Sequence, residues 1–241
     1  MRPPGFNEGE ESFKTVEEMI RIYVEAIQRR QPKGPYAIAG YSLGCPVAFE
    51  IAKELEARGN EIAFLGCIDF WPCCRPMRLD VNMATALALV LDLIDIDQFV
   101  ALNTKLQPEL PDDEVCRFVL SFASHERLTE LDLDLPKFGV WARVAHRMET
   151  LLFGHTTTGV LRAMTIFCGE GISPRYTTYQ WSRRTWHEEL RRWDEFVLQP
   201  RYIDVPGDHH SIIGPKHVAG FQAVLRSEVD LAFGNRGTRE S

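Results

Sequence analysis

One short segment constrains the fold of this chain more than any other. Residues 40–44 read Gly-Tyr-Ser-Leu-Gly, and they stand between the apolar run 36–39 and the helical pattern 45–55. A strand, a G-x-S-x-G turn and a helix in this order are typical of a nucleophile elbow. The segment therefore predicts a strand and a helix joined by a sharp turn that presents a serine.

The turn indicates how that serine is presented. We expect Ser42 to adopt a strained backbone conformation, and we expect Gly40 and Gly44 to be required because side chains there would clash with the neighbouring backbone. Tyr41 completes the elbow. The strain lifts the Ser42 hydroxyl to the start of a helix, where the Leu43 N–H can face a developing oxyanion. We interpret Ser42 as a nucleophile; the alternative is a tight turn with a structural serine.

Composition excludes several other classes of function. The chain has 241 residues, of which 45% are hydrophobic and 25% charged, as in an ordinary globular domain. A net charge of −7, with both signs mixed along the chain, does not favour nucleic-acid binding. No apolar run is long enough for a bilayer and no secretory signal stands at the N-terminus, so we expect a cytoplasmic protein without a membrane partner.

The six cysteines show no C-x-x-C spacing and no partnered histidines. We expect no metal site and no disulfide framework, and we interpret all six as reduced thiols. The pair Cys73-Cys74 follows a strand end and is the place where a redox role would have to be sought. The six are Cys45, Cys67, Cys73, Cys74, Cys116 and Cys168.

Strand and helix patterns alternate along most of the chain, which predicts one α/β domain over residues 1–241 with a mostly parallel, doubly wound sheet. Residues 76–161 show successive helical patterns without a clear strand, so they predict an all-helical lid inserted into the sheet. Residues 234–241 read as a disordered tail. The other predicted elements are helices at about 12–30, 178–198 and 215–233, and strands at 62–68, 163–169 and 202–206.

The helix predicted over 178–198 contains Trp181, Trp186 and Trp193 among basic residues. We interpret it as an amphipathic helix with a solvated basic face. It is only a weak candidate for a surface that docks a partner.

A serine hydroxyl is a poor nucleophile at neutral pH and needs a base that a carboxylate orients. In parallel sheets such groups collect at the carboxyl ends of strands. His209 follows the last predicted strand, where Gly207 lets the chain turn, and His210 is the alternative base. Asp69 ends the strand after the elbow, and its burial would require a partner; Glu170, at the end of the next strand, is the alternative acid.

These motifs resemble type I thioesterase domains, which end nonribosomal peptide synthetases and polyketide synthases. Segments 5–10, 34–42 and 214–218 are similar to one branch, the thioesterase domains of fungal synthetase-like enzymes with adenylation, thiolation and thioesterase domains. Atromentin and microperfuranone synthetases belong to that branch. The resemblance covers nearly the whole chain, and it implies an α/β-hydrolase fold.

The resemblance also implies a reaction. A carrier domain would deliver an acyl group as a phosphopantetheine thioester, without any further cofactor. Ser42 would take the acyl group, His209 would act as base and then acid, and Asp69 would hold the imidazole. Release could be hydrolysis, lactonisation or carbon–carbon coupling, and the lid would shape the acyl chamber.

The chain departs from the family pattern at two places. Cys45 stands where glycine is common, and we expect only altered packing. In the family, the first strands and a second oxyanion donor come before the segment that matches residues 5–7, so we expect those strands to be missing from this chain. That expectation leaves two alternatives: Met1 is a wrong or alternative start, or the protein is a shortened, impaired thioesterase. Two further hypotheses are a remnant that binds a carrier domain or another subunit, and an α/β-hydrolase that acts on free small esters or lipids.

Overall fold

The computed structural model describes residues 3–7, 9–72, 81–171 and 183–234. These residues divide into two compact units, one within 1–16 and 75–155 and the other within 17–74 and 156–241. Among the residues described, no helix has the length and apolar character needed to cross a bilayer.

The second unit contains a four-stranded parallel sheet in the order β1-β2-β3-β4. Because all neighbouring strands run the same way, their carboxyl ends lie along one edge of the sheet. This arrangement confirms the predicted α/β class. The strands are β1, Tyr36–Tyr41; β2, Ile62–Ile68; β3, Leu161–Cys168; and β4, Val197–Asp204.

Helices of the second unit precede, connect or follow these strands. Residues Phe64, Phe167 and Phe221 from β2, β3 and the last helix form one buried cluster, which also includes Val205 and Ile212 after β4. Burying each such side chain contributes about 1.5–3 kcal/mol. The helices are α1, Val16–Arg30; α2, Gly44–Ala57; α8, Arg183–Leu190; a 3₁₀ helix, Arg191–Glu195; and α9, Val218–Gly234.

The described residues of the first unit contain helices and no strand. Aspartates cap three of its helices: Asp95 forms a capping box, and Asp112 and Asp134 each accept a backbone N–H in the first turn. These helices fall within the segment 76–161, for which the sequence predicts a lid. They are α3, Met83–Val90; α4, Ile96–Asn103; α5, Asp113–Leu120; α6, His125–Glu130; and α7, Leu135–Phe153.

The strand predicted over 202–206 is misplaced, because β4 already begins at Val197 and ends at Asp204. Pro200 lies inside it, opposite Met164 of β3. Among the described residues β4 pairs with β3 alone, and proline is tolerated on such an edge strand because its missing N–H is not needed there. The helix predicted over 178–198 therefore ends at Glu195, and residues 178–182 lie outside the described part of the chain.

Three smaller expectations also change. The first helix begins at Val16 instead of about residue 12, and the last begins at Val218 after a turn in which the His217 N–H bonds to the Gly214 carbonyl. Gly234 belongs to α9, and the rest of the predicted tail, 235–241, lies outside the described residues. The same holds for Cys73 and Cys74, whereas the other four cysteines are buried and unpaired by any disulfide.

Candidate active site

The turn after β1 gives Ser42 a left-handed backbone, with φ of 52°. Gly40 makes this turn possible, since a Cβ there would lie 2.0 Å from the Gly44 carbonyl oxygen. The Ser42 N–H donates to the Ile68 carbonyl at 3.1 Å, and the Ser42 carbonyl accepts the Cys45 N–H at 2.8 Å. The serine is thereby tied both to β2 and to the first turn of α2.

The reason predicted for Gly44 is wrong. Beyond its chain neighbours and the backbone of its own helix, a Cβ at Gly44 would meet no described atom within 4 Å, and the φ of Gly44 is not in the left-handed region. Of these two glycines, only Gly40 lies so close to the start of the following helix that an added Cβ would clash with its backbone.

Leu43 is the N-cap of α2, and no side chain in the described residues caps this end of the helix. The first N–H groups of a helix lack partners within the helix and carry partial positive charge. The Leu43 N–H lies beside the serine in this turn. Its assignment as an oxyanion donor stays a prediction.

The structure brings His209 between Ser42 and Asp69. The His209 Nε2 lies 3.0 Å from the Ser42 Oγ, and the His209 Nδ1 lies 3.0 Å from the Asp69 Oδ2. The histidine is only 6% exposed. The three side chains come from the ends of three strands, so the geometry is that of a serine, a base and an orienting carboxylate.

The loop that carries His209 is fastened to the end of β3. Gly207 turns the chain with φ of 96°. Its carbonyl accepts the Glu170 N–H at 2.8 Å, and the His209 N–H donates to the Gly171 carbonyl at 2.9 Å. The position of the imidazole therefore depends on backbone contacts between two loops at the carboxyl edge of the sheet.

Asp69 is fully buried and its backbone is left-handed, with φ of 58°. Its Oδ1 accepts the Gly169 N–H at 2.8 Å and the indole N–H of Trp186 at 2.9 Å. Its Oδ2 faces His209. These three donors compensate the loss of water around a buried carboxylate.

The two alternative residues lie elsewhere. His210 is exposed, and its ring stands perpendicular to that of His209, with centroids 5.1 Å apart. Glu170 is exposed as well. Neither contacts Ser42 in the described hydrogen bonds, so the structure assembles His209 and Asp69 with the serine.

Aromatic side chains surround His209, and sequence analysis missed most of them. Tyr41 stacks on the imidazole with centroids 5.3 Å apart, and its hydroxyl donates to the His209 carbonyl. Trp186 meets the imidazole edge-on at 5.2 Å, and Phe70 lies 6.2 Å away. The Trp186 position lies 117 residues from Asp69 in sequence, and only its place in a tryptophan-rich helix could have drawn attention to it.

Cys45 packs beneath the elbow. Its thiol donates to the Gly40 carbonyl at 3.1 Å and is 1% exposed. Burial raises the pKa of this thiol well above its ordinary value. The sulfur is therefore a neutral packing group in this place. Within the described residues, no group of three or more histidine, cysteine or acidic side chains could hold a metal ion.

A parallel sheet, a strained serine elbow and a histidine that bridges that serine to a buried aspartate are the arrangement typical of the α/β-hydrolase class. The chain belongs to the thioesterase domain family, whose model matches residues 1–223.

Fungal synthetases are among its relatives. The chain is 35% identical over 235 residues to the nonribosomal peptide synthetase apvA of Aspergillus terreus, which covers 95% of the chain and 25% of that protein. It is 32% identical over 234 residues to the atromentin synthetase of Tapinella panuoides, covering 95% of the chain and 24% of the synthetase. The chain thus spans about a quarter of the length of the curated relatives it matches. The resemblance to the fungal synthetase-like branch is confirmed.

A solved structure shares the fold. The four-domain nonribosomal peptide synthetase holo-AB3403 superposes with a TM-score of 0.68 at 22% identity, over 94% of this chain and 17% of that chain. At this identity the likeness speaks for the fold alone.

Proposed function

We propose that this chain is a serine thioesterase that takes an acyl group from the phosphopantetheine thioester of a carrier domain and releases it in secondary metabolism. The observation that carries the proposal is the bridge that His209 forms between Ser42 and Asp69, with both contacts at 3.0 Å. Membership of the thioesterase domain family supports the choice of thioesters over other acyl donors.

The geometry supports acyl transfer in two halves. In the first, the Ser42 hydroxyl passes its proton to the His209 Nε2 while its Oγ attacks the thioester carbonyl. The carbonyl oxygen becomes an oxyanion beside the Leu43 N–H and the start of α2. When the intermediate collapses, the carbon–sulfur bond breaks, the thiol leaves with the proton from His209, and Ser42 carries the acyl group.

The second half releases the product. A water, an alcohol or a carbon nucleophile gives its proton to His209 and attacks the acyl-enzyme, and the Ser42 oxygen leaves with that proton. Asp69 keeps the imidazole oriented and stabilises its charged form in both halves. All three releases use the same residues, so the choice between hydrolysis, lactonisation and carbon–carbon coupling depends on the nucleophile that reaches the acyl group.

The proposed partner is an acyl or peptidyl carrier domain. The relatives are about four times longer than the region they share with this chain. A domain of this family within such a synthetase meets its substrate tethered to a neighbouring domain. The proposal needs no further cofactor, because the reactive thioester would arrive on the carrier.

The first test uses a fluorophosphonate probe, which phosphonylates an activated serine. We expect intact mass to show one adduct on the purified chain and none on Ser42→Ala. Ser121→Ala is the matched control, since Ser121 is exposed on the helical unit and bonds only within its own turn. A folded wild-type chain that takes no label would contradict the proposal and favour a carrier-binding module.

A second test separates thioesterase from esterase. The chain that reacts with the probe is given three substrates with the same acyl group: acyl phosphopantetheine, a loaded acyl carrier protein and the matching oxygen ester. We expect the carrier-bound thioester to be cleared fastest. Equal or faster turnover of the free oxygen ester would support an esterase instead.

A further inference from the structure

Two tryptophans of the segment 183–195 donate hydrogen bonds to consecutive residues at the end of β2. The Trp186 indole N–H bonds to the Asp69 carboxylate at 2.9 Å, and the Trp193 indole N–H bonds to the Phe70 carbonyl at 2.8 Å. Both indoles are buried, at 1% and 0% exposure. The helical segment thus fastens the residue that orients His209, and the two bonds differ in whether the acceptor is charged.

The conformation of Trp186 is fixed by its neighbours. Its ring meets Trp71 edge-on at 5.0 Å and His209 edge-on at 5.2 Å. The indole therefore contacts both the carboxylate and the imidazole that this carboxylate faces. A phenylalanine could fill most of this space, but it would offer no donor to the Asp69 Oδ1.

The Oδ1 of Asp69 has two donors, and they act from different sides. The Gly169 N–H belongs to the loop after β3, whereas the indole belongs to α8. Together they leave Oδ2 to face the His209 Nδ1. Hydrogen bonds to a charged acceptor are stronger than neutral ones, so removing one donor changes how much negative charge Asp69 presents to the imidazole.

We propose that Trp186 is a positioning residue for the acyl-transfer site: its indole N–H holds the Asp69 carboxylate so that Oδ2 faces His209, and it sets how readily His209 takes a proton. The role of Trp186 in acyl transfer rests on the proposed function. The contact itself can be tested without catalysis.

Within the part of the chain that the structure describes, titratable groups near His209 besides Asp69 include Tyr41 at the end of β1, and Asp208 and His210 in the loop of the histidine itself. They stay unchanged in Trp186→Phe. With one donor lost, the Asp69 carboxylate is less satisfied and attracts the protonated imidazole more strongly. In this variant the His209 imidazole therefore keeps its proton up to a higher pH than in the wild-type chain.

The experiment is an NMR titration of the full 241-residue chain, in which the His209 ring signal is assigned by its loss in His209→Gln. We expect the titration midpoint of His209 to rise by about half a pH unit in Trp186→Phe and to stay in place in Trp193→Phe. Trp193→Phe is the matched control, because it removes an equally buried indole N–H whose acceptor is a backbone carbonyl. A midpoint that stays or falls in Trp186→Phe, or that moves equally in both variants, would overturn the proposal.

Rates give the second readout. The rate of fluorophosphonate labelling should fall about tenfold in Trp186→Phe, with the acid limb of its pH profile displaced upward, while Trp193→Phe keeps the wild-type limb. If the wild-type chain takes no label but the NMR midpoints behave as expected, the proposed function fails and the positioning role stands.

A measurement on the unmodified chain covers the case in which Trp186→Phe does not fold. The indole N–H of Trp186 shares the Asp69 carboxylate with His209, so its NMR signal should shift with the same midpoint as His209. The indole signal of Trp193 should not follow that titration. An indole signal of Trp186 that ignores the titration of His209 would overturn the proposal.

Discussion

At Gly40 the backbone leaves no room for a single methyl group, whereas Gly44 faces open space. A Cβ at Gly40 would lie 2.0 Å from the Gly44 oxygen and 2.7 Å from the Cys45 nitrogen. Both are backbone atoms at the start of a helix, so neither can move aside without breaking the elbow. The two glycines of one motif thus have different physical reasons for being there.

Gly40→Ala should therefore lower the free energy of unfolding by about 4 kcal/mol or more and abolish fluorophosphonate labelling, as overpacking against a rigid backbone does. Gly44→Ala, the matched control in the same turn, should fold and keep its label. The measurements are urea unfolding and intact mass after labelling. Equal damage from both substitutions would show that the crowding at Gly40 is not what shapes the elbow.

The side chains around Ser42 differ in how far sequence could predict them. Ser42, Asp69 and His209 each follow a strand, and strand ends of a parallel sheet meet at one edge, so their approach could be expected. Trp186 follows no strand, and its contact depends on how α8 packs against the sheet. Such a contact has no local sequence signal, since neither spacing nor propensity records which helix face meets which strand end.

Helix α7 carries a buried carboxyl group, one oxygen of which has no hydrogen-bond partner among the described residues. Glu149 on this helix is 6% exposed, and its Oε1 has no hydrogen-bond partner in the described residues. Burial raises the pKa of this carboxyl from 4.5 to about 7. The folded chain thus keeps the carboxyl protonated at a pH where the unfolded chain has already released the proton.

The sign of the pH dependence follows. Because the folded pKa lies above the unfolded one, stability falls as the pH rises from about 4.5 to 7, by about 3 kcal/mol in all. Glu149→Gln should remove this fall and make the helical unit more stable than wild type at pH 8, with little difference at pH 4. Urea unfolding followed by circular dichroism at both pH values measures it.

Glu126→Gln is the matched control, because Glu126 is exposed on the neighbouring helix α6. It should leave the difference between the two pH values as in wild type. A Glu149→Gln chain that still loses stability between pH 5 and 7 would show that another group causes the loss.

The strands show what a pattern can and cannot predict. β2 is an uninterrupted apolar run, and its predicted bounds, 62–68, are those observed, Ile62–Ile68. The sequence pattern predicts β4 too late, at 202–206, because Pro200 and the charged Arg201 are not typical of a strand. Arg201 pairs with Glu228 of α9, with nitrogen–oxygen distances of 3.0 Å, so a tertiary contact overrides the weak local preference of this segment.

At the scale of the whole molecule, the two units differ in their secondary structure. The second has a parallel sheet with buried strands, whereas the described part of the first consists of short helices and the longer α7. Helices α3 to α6 have six to eight residues, a length at which a helix depends on its packing for stability. The first unit also contains the buried carboxyl of Glu149.

Four buried cysteines report on the two units separately. Cys116 on α5 is 0% exposed and lies in the first unit, while Cys45, Cys67 and Cys168 are at most 3% exposed and lie in the second. Burial raises the pKa of Cys116 to about 11 and that of Cys168 to about 12, so these thiols react only when their unit opens.

We expect Cys116 to become reactive at a lower urea concentration than the other three when pulses of a methanethiosulfonate reagent are read by peptide mass spectrometry at pH 8. The reason is that the short helices and the ionising Glu149 weaken the first unit, while the sheet keeps the second closed. At pH 6, where Glu149 is largely protonated, the midpoint of Cys116 should move toward the others. One shared midpoint at both pH values would mean that the units unfold as a single cooperative body, and that the carboxyl of Glu149 weakens the whole chain instead of the helical unit alone.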